Sequence, residues 1–349
     1  MDASQTTRPE PKAVLNGIMN NHVRARLLFT AVNLGIPDIL AGGARDSHEL
    51  ASHLGADQAA LYRFLRALAS MDVLEEVEPG RFGLSVLGDY VRTDHADAFH
   101  EVVRWNALEW ELWSRFEQSV MNGKSAFENA YGLGIFDYLT EHSEYGRYFD
   151  RAMSEFVGAN IASIVEAYTF APGGSVVDVG GGSGALLTAI LRANANLRGV
   201  VFDLPEAVES AATNLADPEL SARCEFVGGS FFESVPSGAD TYILSSILHD
   251  WDDDRCRVIL RNVRSAMSDQ SRLVISELLV PDGTAPSPIK VFDLNMLVFT
   301  SGGRERTRAE FASLLDAADF RLERVVSTQT AVSLLEAVPL EGRHRTDRR

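Results

Sequence analysis

Val176-Val177-Asp178-Val179-Gly180-Gly181-Gly182-Ser183-Gly184 is an apolar, mostly β-branched run that ends in a glycine-rich turn, and Ala185, Leu186 and Leu187 then open a helix. β-branched residues favour extended backbone, and glycine lets a chain turn sharply and lets a ligand approach the main chain. Such a turn occurs in plain tight loops as well as in nucleotide sites, so its surroundings decide. Asp203 ends the next apolar run, 23 residues beyond Gly180. In dinucleotide folds an acidic residue roughly 20 residues past the turn meets ribose hydroxyls. The two features together predict a nucleoside cofactor. They leave NAD and S-adenosylmethionine both open, although Gly-Gly-Gly-Ser-Gly lacks the G-x-G-x-x-G spacing that holds a pyrophosphate.

Outward from this turn, short apolar runs alternate with helical stretches. The runs are Val176–Val179, Gly199–Phe202, Cys224–Val227, Thr241–Leu244 and Leu273–Ser276. Strands alternating with helices predict an α/β fold, a doubly wound Rossmann-like parallel sheet with helices on both faces. Leu322–Ser327 and Ala331–Ala337 flank a short polar turn and predict a closing antiparallel hairpin. Toward the N-terminus the texture differs. Leu15, Ile18 and Met19 have one-face helical spacing. Ser47 is a candidate N-cap for one helix and Asp57 for the next. Val73–Glu75 and Arg81–Leu84 flank Pro79-Gly80 as a hairpin. Helices followed by a hairpin are a winged-helix pattern. Residues 96 to 168 return to helical texture, with Trp105, Leu108, Leu112 and Phe116 on one face. The expected organisation is a disordered tail over 1–12, a winged-helix domain over 13–95, a helical linker and cofactor domain over 96–338, and a second tail over 339–349.

Composition narrows the classes. The chain has 349 residues, 46% of them hydrophobic and 23% charged, which suits globular domains. No run of eighteen or more apolar residues occurs, and the N-terminus lacks the pattern of a signal peptide, so a cytoplasmic protein without membrane contact is expected. The net charge of −17 disfavours nucleic acid. From Arg45 to Arg92, five arginines face eight acidic residues, a poor phosphate-binding surface for a winged helix. That weakens the rival reading of a DNA-binding regulator. Two cysteines, Cys224 and Cys256, form no CxxC pair, and the eight histidines are scattered, so no metal site is expected.

Five blocks then narrow the reading. They are Val177–Gly182, Val201-Phe202-Asp203-Leu204-Pro205, Gly228-Gly229-Ser230-Phe231-Phe232, Leu248-His249-Asp250-Trp251-Asp252-Asp253, and Asp293–Leu297 with Gly302-Gly303-Arg304-Glu305-Arg306-Thr307. In this order the chain resembles, over nearly its whole length, the class I S-adenosylmethionine-dependent O-methyltransferases of the caffeic acid and hydroxyindole O-methyltransferase family. The branch it is most similar to makes bacterial natural products, which implies secondary metabolism and antibiotic biosynthesis. The resemblance implies S-adenosylmethionine as cofactor, a small aromatic acceptor, and a homodimer formed through the N-terminal domain. It implies that Gly180 and Gly182 face the methionine part, that Asp203 binds the ribose and that Ser230 and Phe231 flank the adenine. Ser245 stands where plant members carry a lysine, and Ser230 where the family usually has an aspartate.

His249 follows the apolar run Tyr242–Leu248, at the end of a strand where open parallel sheets place their sites. A histidine with an ordinary pKa of about 6.5 can take a proton from a phenol, whose pKa is near 10, and general-base help contributes roughly 10²–10⁴-fold. A sulfonium methyl is already electrophilic, so no metal is required. The resemblance implies that Glu277 and Glu305 hold this histidine, and that Asn295 and Met296 contact the acceptor. Asp250 is a candidate pocket acceptor, and Phe149 and Met153, with Phe156, are candidates for the pocket wall. Methylation of carbon or nitrogen, or chemistry without methyl transfer, remains the alternative.

Overall fold

The computed structural model describes residues 10–215 and 217–340. It divides into two units, one ending at Trp110 and the other beginning at Glu111. Most of the two expected tails lies outside the described residues. Pro11 and Lys12 already belong to the first helix, Pro11–Asn33, and Pro339 ends the last strand.

In the first unit, the helices Pro11–Asn33, Ile36–Leu40, Ser47–Leu54 and Gln58–Ala69 precede a small sheet. The sheet consists of β1 (Arg45–Asp46), β2 (Leu74–Glu78) and β3 (Arg81–Leu84), in the order β1-β3-β2. The hairpin matches the expected one. The two-residue β1 was not read, being too short to carry a period. Asp57 caps its helix as expected, accepting from the Ala60 N–H. The cap before it is Asp46 rather than Ser47, since the Asp46 carboxylate accepts from the His48 N–H and Ser47 is the first helical residue. Leu50, Leu65, Leu68 and Phe82 pack as one core. The helix His100–Leu108 also belongs to this unit, because Val103 on it closes a cluster with Phe29, Val32 and Val91.

The helical stretch from residue 96 is not continuous. It is cut into His100–Leu108, Trp110–Trp113, Phe116–Asn122, Ala126–Tyr131, Ile135–Glu141 and Ser143–Ala167. Gly123 and Gly132, at φ 71° and 76°, end two of these in the left-handed conformation that favours glycine. The single apolar face expected there is lost: Trp105 and Leu112 are buried, but Leu108 is 48% exposed.

The second unit is built on an eight-stranded sheet. Its strands are β4 (Ser175–Val179), β5 (Arg198–Asp203), β6 (Cys224–Gly228), β7 (Thr241–Ser245), β8 (Arg272–Val280), β9 (Arg306–Thr307), β10 (Phe320–Ser327) and β11 (Val332–Pro339). The order is β10-β11-β8-β7-β4-β5-β6, with β9 added to β8. β4 to β9 pair in parallel, and β10 and β11 form the antiparallel hairpin against β8. Both faces are covered, which is why the strands read as almost continuous apolar runs. Val177 and Val179 point into one buried cluster with Tyr242, Ile259 and Phe311, while Val176 points into another with Leu187, Ile190 and Ile243. From β4 the chain winds outward through β5 and β6, then returns to β7 on the other side of β4. That reversal opens a crevice at the carboxyl ends of β4 and β7, where open sheets of this kind bind ligands. Among the described residues no helix is long and apolar enough to cross a membrane.

Candidate active site

Gly180, Gly182 and Gly184 all have positive φ, at 73°, 52° and 73°. Their reasons differ. A Cβ on Gly180 would lie 2.4 Å from Ile247 Cδ1, so the turn is pressed against the chain leaving β7. The Phe231 ring lies beside the same point, 3.6 Å away. Around Gly182 the space is open for 4 Å. The Gly182 N–H donates to Asp203 Oδ2 at 2.7 Å, and the Leu204 N–H donates to Oδ1, also at 2.7 Å. The carboxylate is thereby fixed at the end of β5. Burial raises the Asp203 pKa, and the two N–H donors pull it back. Beneath the turn, burial and the field of Asp203 push the Asp178 carboxyl up to about 7. Asp150, on the helix Ser143–Ala167, is raised by burial and by Asp203 as well.

Beside the glycine turn, Ser230 Oγ accepts from the Phe232 N–H, and the Phe231 carbonyl accepts from Asn262 Nδ2. Phe231 meets Phe232 edge-on at 4.9 Å. Ser245 is the last residue of β7 and is half-buried. Ser246 follows at φ 55°, an unusual conformation for a serine, and its N–H donates to the Ser276 carbonyl.

β7 ends before the expected run does, and Leu248–Asp250 form a single 3₁₀ turn. Glu277, buried in β8, holds that turn. Its Oε1 accepts from the backbone N–H groups of Ile247, Leu248 and His249 at 3.1, 2.9 and 3.3 Å. Its Oε2 lies 2.7 Å from His249 Nδ1. A carboxylate only accepts, so Nδ1 carries the hydrogen and Nε2 is left for other work. Glu305 Oε1 is 3.6 Å from the same Nδ1. Both Glu305 oxygens are buried with no hydrogen-bond partner, and burial pushes this carboxyl up to about 8. Asp250 Oδ1 is 3.5 Å from His249 Nε2. Burial raises Asp250 to about 6, against the pull of His249. For His249 itself, burial lowers the pKa, but Glu277, Asp250 and Glu305 outweigh it and hold the imidazole well above its ordinary value.

His249 Nδ1 and one oxygen each of Glu277 and Glu305 lie within 4.8 Å of one another, the donor set of a cation site. Glu277 already directs Oε1 at three backbone N–H groups and Oε2 at the imidazole. A cation there would have to displace the proton that sets the histidine tautomer.

The candidate acceptor residues come from two helices. On Ser143–Ala167, Phe149, Met153 and Phe156 follow one another at helical spacing. Phe156 stacks on Phe292 at 5.8 Å, and Phe149 meets Phe136 edge-on at 6.2 Å. Phe136 stacks on Trp251 at 4.9 Å, which carries the aromatic wall to within two residues of His249. Asn295 and Met296 lie on the helix Pro288–Phe299. Met296 is 8% exposed, whereas the half-buried Asn295 amide has no hydrogen-bond partner among the described residues.

Several residues that matter to this geometry had no role read for them. Asp293, two residues before Asn295, accepts from the Glu305 N–H at 2.7 Å. A Cβ on Gly303 would lie 2.3 Å from the His249 carbonyl oxygen, so only glycine lets the two backbones meet. Arg306 reaches the Leu248 and Trp251 carbonyls on either side of the histidine. The Gly-Gly-Arg-Glu-Arg-Thr block contains two of these three, but spacing alone cannot report a contact across the fold.

Residues 113–321 match the O-methyltransferase domain, and residues 17–101 match the O-methyltransferase dimerisation domain. The phenazine O-methyltransferase PhzM of Lysobacter antibioticus is 40% identical over 314 residues, 90% of this chain and 92% of that one. The 8-amino-8-demethylriboflavin N,N-dimethyltransferase of Streptomyces davaonensis is 35% identical over 303 residues, 85% of this chain and 86% of that one. The crystal structure of the O-methyltransferase NcsB1 from neocarzinostatin biosynthesis, in complex with S-adenosylmethionine and 2-hydroxy-5-methyl naphthoic acid, has a TM-score of 0.77 at 32% identity, covering 91% of this chain and 96% of that one. The chain belongs to the O-methyltransferase family and is an S-adenosylmethionine-dependent methyltransferase.

Proposed function

We propose that this enzyme methylates a hydroxyl group of a small aromatic natural product, with His249 as the general base. The observation that carries the reading is the 2.7 Å contact between His249 Nδ1 and Glu277 Oε2, which leaves Nε2 as the ring atom free of a hydrogen and able to take the proton. Glu277 orients the imidazole and stabilises its charged form. Glu305 adds a second carboxyl near Nδ1. S-adenosylmethionine, when bound, supplies a methyl group on a sulfonium. The open space at Gly182 and the fixed carboxylate of Asp203 suit its methionine and ribose parts, and Gly180, Ser230, Phe231 and Ser245 are assigned to the same site. Phe149, Met153 and Met296 are assigned to the aromatic acceptor, and the amide of Asn295 and the carboxyl of Asp250 to its polar groups. Holding the acceptor oxygen in line is then a matter of proximity.

The N-terminal unit is read as the surface of a homodimer. Its match to the dimerisation domain supports this, as do Leu15, Ile18 and Met19, which are 59%, 63% and 65% exposed on the first helix. The two buried free thiols, Cys224 and Cys256, suit a cytoplasmic enzyme.

The test is incubation with methyl-labelled S-adenosylmethionine and a panel of 2-hydroxy-5-methyl naphthoic acid, a hydroxyphenazine and an aminoflavin. Label is expected on a hydroxyl oxygen with one of the first two, and its loss is expected in His249→Ala. Undiminished transfer by that variant refutes the base. The N,N-dimethyltransferase among the relatives favours a second reading, methylation of an aromatic amine, and label on the aminoflavin alone would select it.

A further inference from the structure

Arg306 is fully buried, with 0% of its surface exposed, at the start of β9. A guanidinium in such a place needs every donor paired. Arg306 achieves this. Nε and one Nη2 hydrogen go to Asp253 Oδ1 at 3.1 and 2.8 Å. The other Nη2 hydrogen goes to the Trp251 carbonyl at 2.8 Å. Nη1 donates to the Leu248 carbonyl at 2.8 Å and to the Arg304 carbonyl at 3.4 Å. Four of these five bonds end on the segment Leu248–Asp253, which carries His249.

The bonds are placed on the opposite side of the turn from Glu277. The anion takes the N–H groups of Ile247, Leu248 and His249, while the cation takes the carbonyls of Leu248 and Trp251. The turn is therefore held between a buried negative and a buried positive group, one on each of its polar faces. The helix Asp253–Ala266 has its own cap in Asp252, whose carboxylate accepts from the Arg255 N–H at 2.8 Å. Cys256 Sγ contacts the same two carbonyls at 3.2 and 3.4 Å, but a thiol is a weak donor. A guanidinium presents its donors in one rigid plane, so the acceptors it joins cannot move independently.

We propose that Arg306 is a positioning residue for methyl transfer: it fixes the carbonyl side of the Leu248–Asp253 segment so that His249 keeps Nδ1 on Glu277 and presents Nε2 to the acceptor. The proposal rests on the reading of His249 as the base. Asp253 shares the task, being the counter-charge of Arg306 and, at 38% side-chain exposure, the accessible end of the arrangement.

The test compares wild type with Arg306→Lys, Asp253→Asn and His249→Ala. Lysine keeps the charge but offers only point donors. Asparagine keeps the shape of Asp253, and its exposed position lets the variant fold even if Arg306→Lys does not. Calorimetric titration gives the affinity for S-adenosylmethionine, and the panel acceptor turned over fastest gives kcat. Proton NMR follows the downfield resonance of the His249 Nδ1 proton, identified by its loss in His249→Ala. Expected are S-adenosylmethionine affinities within threefold of wild type, with kcat down about 10²-fold in Arg306→Lys and about tenfold in Asp253→Asn. The Nδ1 resonance should shift or broaden in both. The acidic limb of kcat should move to lower pH, because a loosened turn weakens the Glu277 contact that opposes burial; Asp250, on the same turn, and Glu305, beside Arg306, raise the same imidazole, and any loosening of them acts in the same direction. A folded variant of either kind with wild-type kcat and a wild-type Nδ1 resonance overturns the proposal. So does a fall in kcat that only matches the lost fraction of S-adenosylmethionine-binding protein. His249→Ala separates the two claims: if it retains full transfer, the base reading fails, whereas its inactivity beside an unaffected Arg306→Lys removes the role of Arg306 alone.

Discussion

His249 and Glu277 meet twice: the imidazole Nδ1 lies 2.7 Å from Glu277 Oε2, and the His249 backbone N–H donates to Oε1 of the same carboxylate at 3.3 Å. One buried side chain thus sets both the tautomer of the base and the backbone that carries it. The two duties can be separated by mutation. Glu277→Gln keeps an oxygen for the three backbone donors but removes the charge that stabilises the imidazolium. It should fold and should lose about 10²–10⁴-fold in kcat. Glu277→Ala strips three N–H groups, one buried and two partly buried, of their acceptor, at about 1–3 kcal/mol each when buried and before relaxation, and should lower the unfolding free energy by about 2 kcal/mol or more. Urea titrations and steady-state kinetics on both variants check this. Equal activity in wild type and Glu277→Gln would sink it.

The charge around His249 fixes the direction of the pH profile. Burial pulls the imidazole pKa down, but Glu277, Asp250 and Glu305 raise it further, so its proton is held more tightly than in an ordinary histidine. A base acts only when neutral. The value of kcat/KM should therefore rise with pH through a midpoint above about 6.5 and level off on the alkaline side. Glu277→Gln removes one raising charge and should move that midpoint down. Rates measured between pH 5.5 and 9.5 with one acceptor test both statements. A midpoint at or below the ordinary histidine value would contradict the first.

Much of this site was legible before the fold was known, and the reasons are local. The glycine turn, Asp203 and the strands around them were legible because a buried parallel sheet writes itself as short apolar runs. The helices after residue 96 were not, since the one-face period from Trp105 to Phe116 runs through breaks at Glu109 and Ser114-Arg115, where no glycine or proline marks an end. His249 was visible as a polar residue at a strand end. The grip on it was visible only through the family resemblance, because Glu277 and Glu305 lie 28 and 56 residues away in the chain. Gly303 and Arg306 were quoted without a role for the same reason. A glycine chosen for a backbone contact, or an arginine whose acceptors are carbonyls, looks in sequence like any loop glycine or surface cation.

The three glycines with distinct surroundings should respond differently to the same methyl group. At φ 73° and with Ile247 Cδ1 at 2.4 Å, Gly180→Ala meets strain and a clash together and should destabilise the fold. Gly303→Ala would drive a methyl to 2.3 Å from the His249 carbonyl oxygen and should abolish transfer. Gly182→Ala meets nothing within 4 Å and bears only the left-handed backbone cost, about 1–2 kcal/mol. Its methyl would occupy the space assigned to the cofactor. It should therefore unfold nearly as wild type does and bind S-adenosylmethionine at least tenfold more weakly. Thermal melts beside calorimetric titration check the contrast, and unchanged binding by Gly182→Ala would remove the cofactor from that side of the turn.

Asp178 makes the stability of the ligand-free enzyme depend on pH. Its carboxyl is buried, one oxygen has no partner, and burial with the field of Asp203 raises it to about 7. In the unfolded chain it titrates near 3.9. Below about pH 4 both states hold the proton and the group has no effect. Between about 4 and 7 the unfolded chain gives up its proton while the folded chain keeps it, so folding becomes less favourable as pH rises, by up to about 1.4 kcal/mol per unit. Asp178→Asn has no proton to lose, and its side-chain oxygen can still accept from the Leu187 N–H that the carboxylate now serves. The difference in unfolding free energy between Asp178→Asn and wild type should therefore move in favour of the variant as pH is raised from 5 to 8. A difference that stays constant across that range would mean that Asp178 ionises in the folded enzyme as readily as in the unfolded chain.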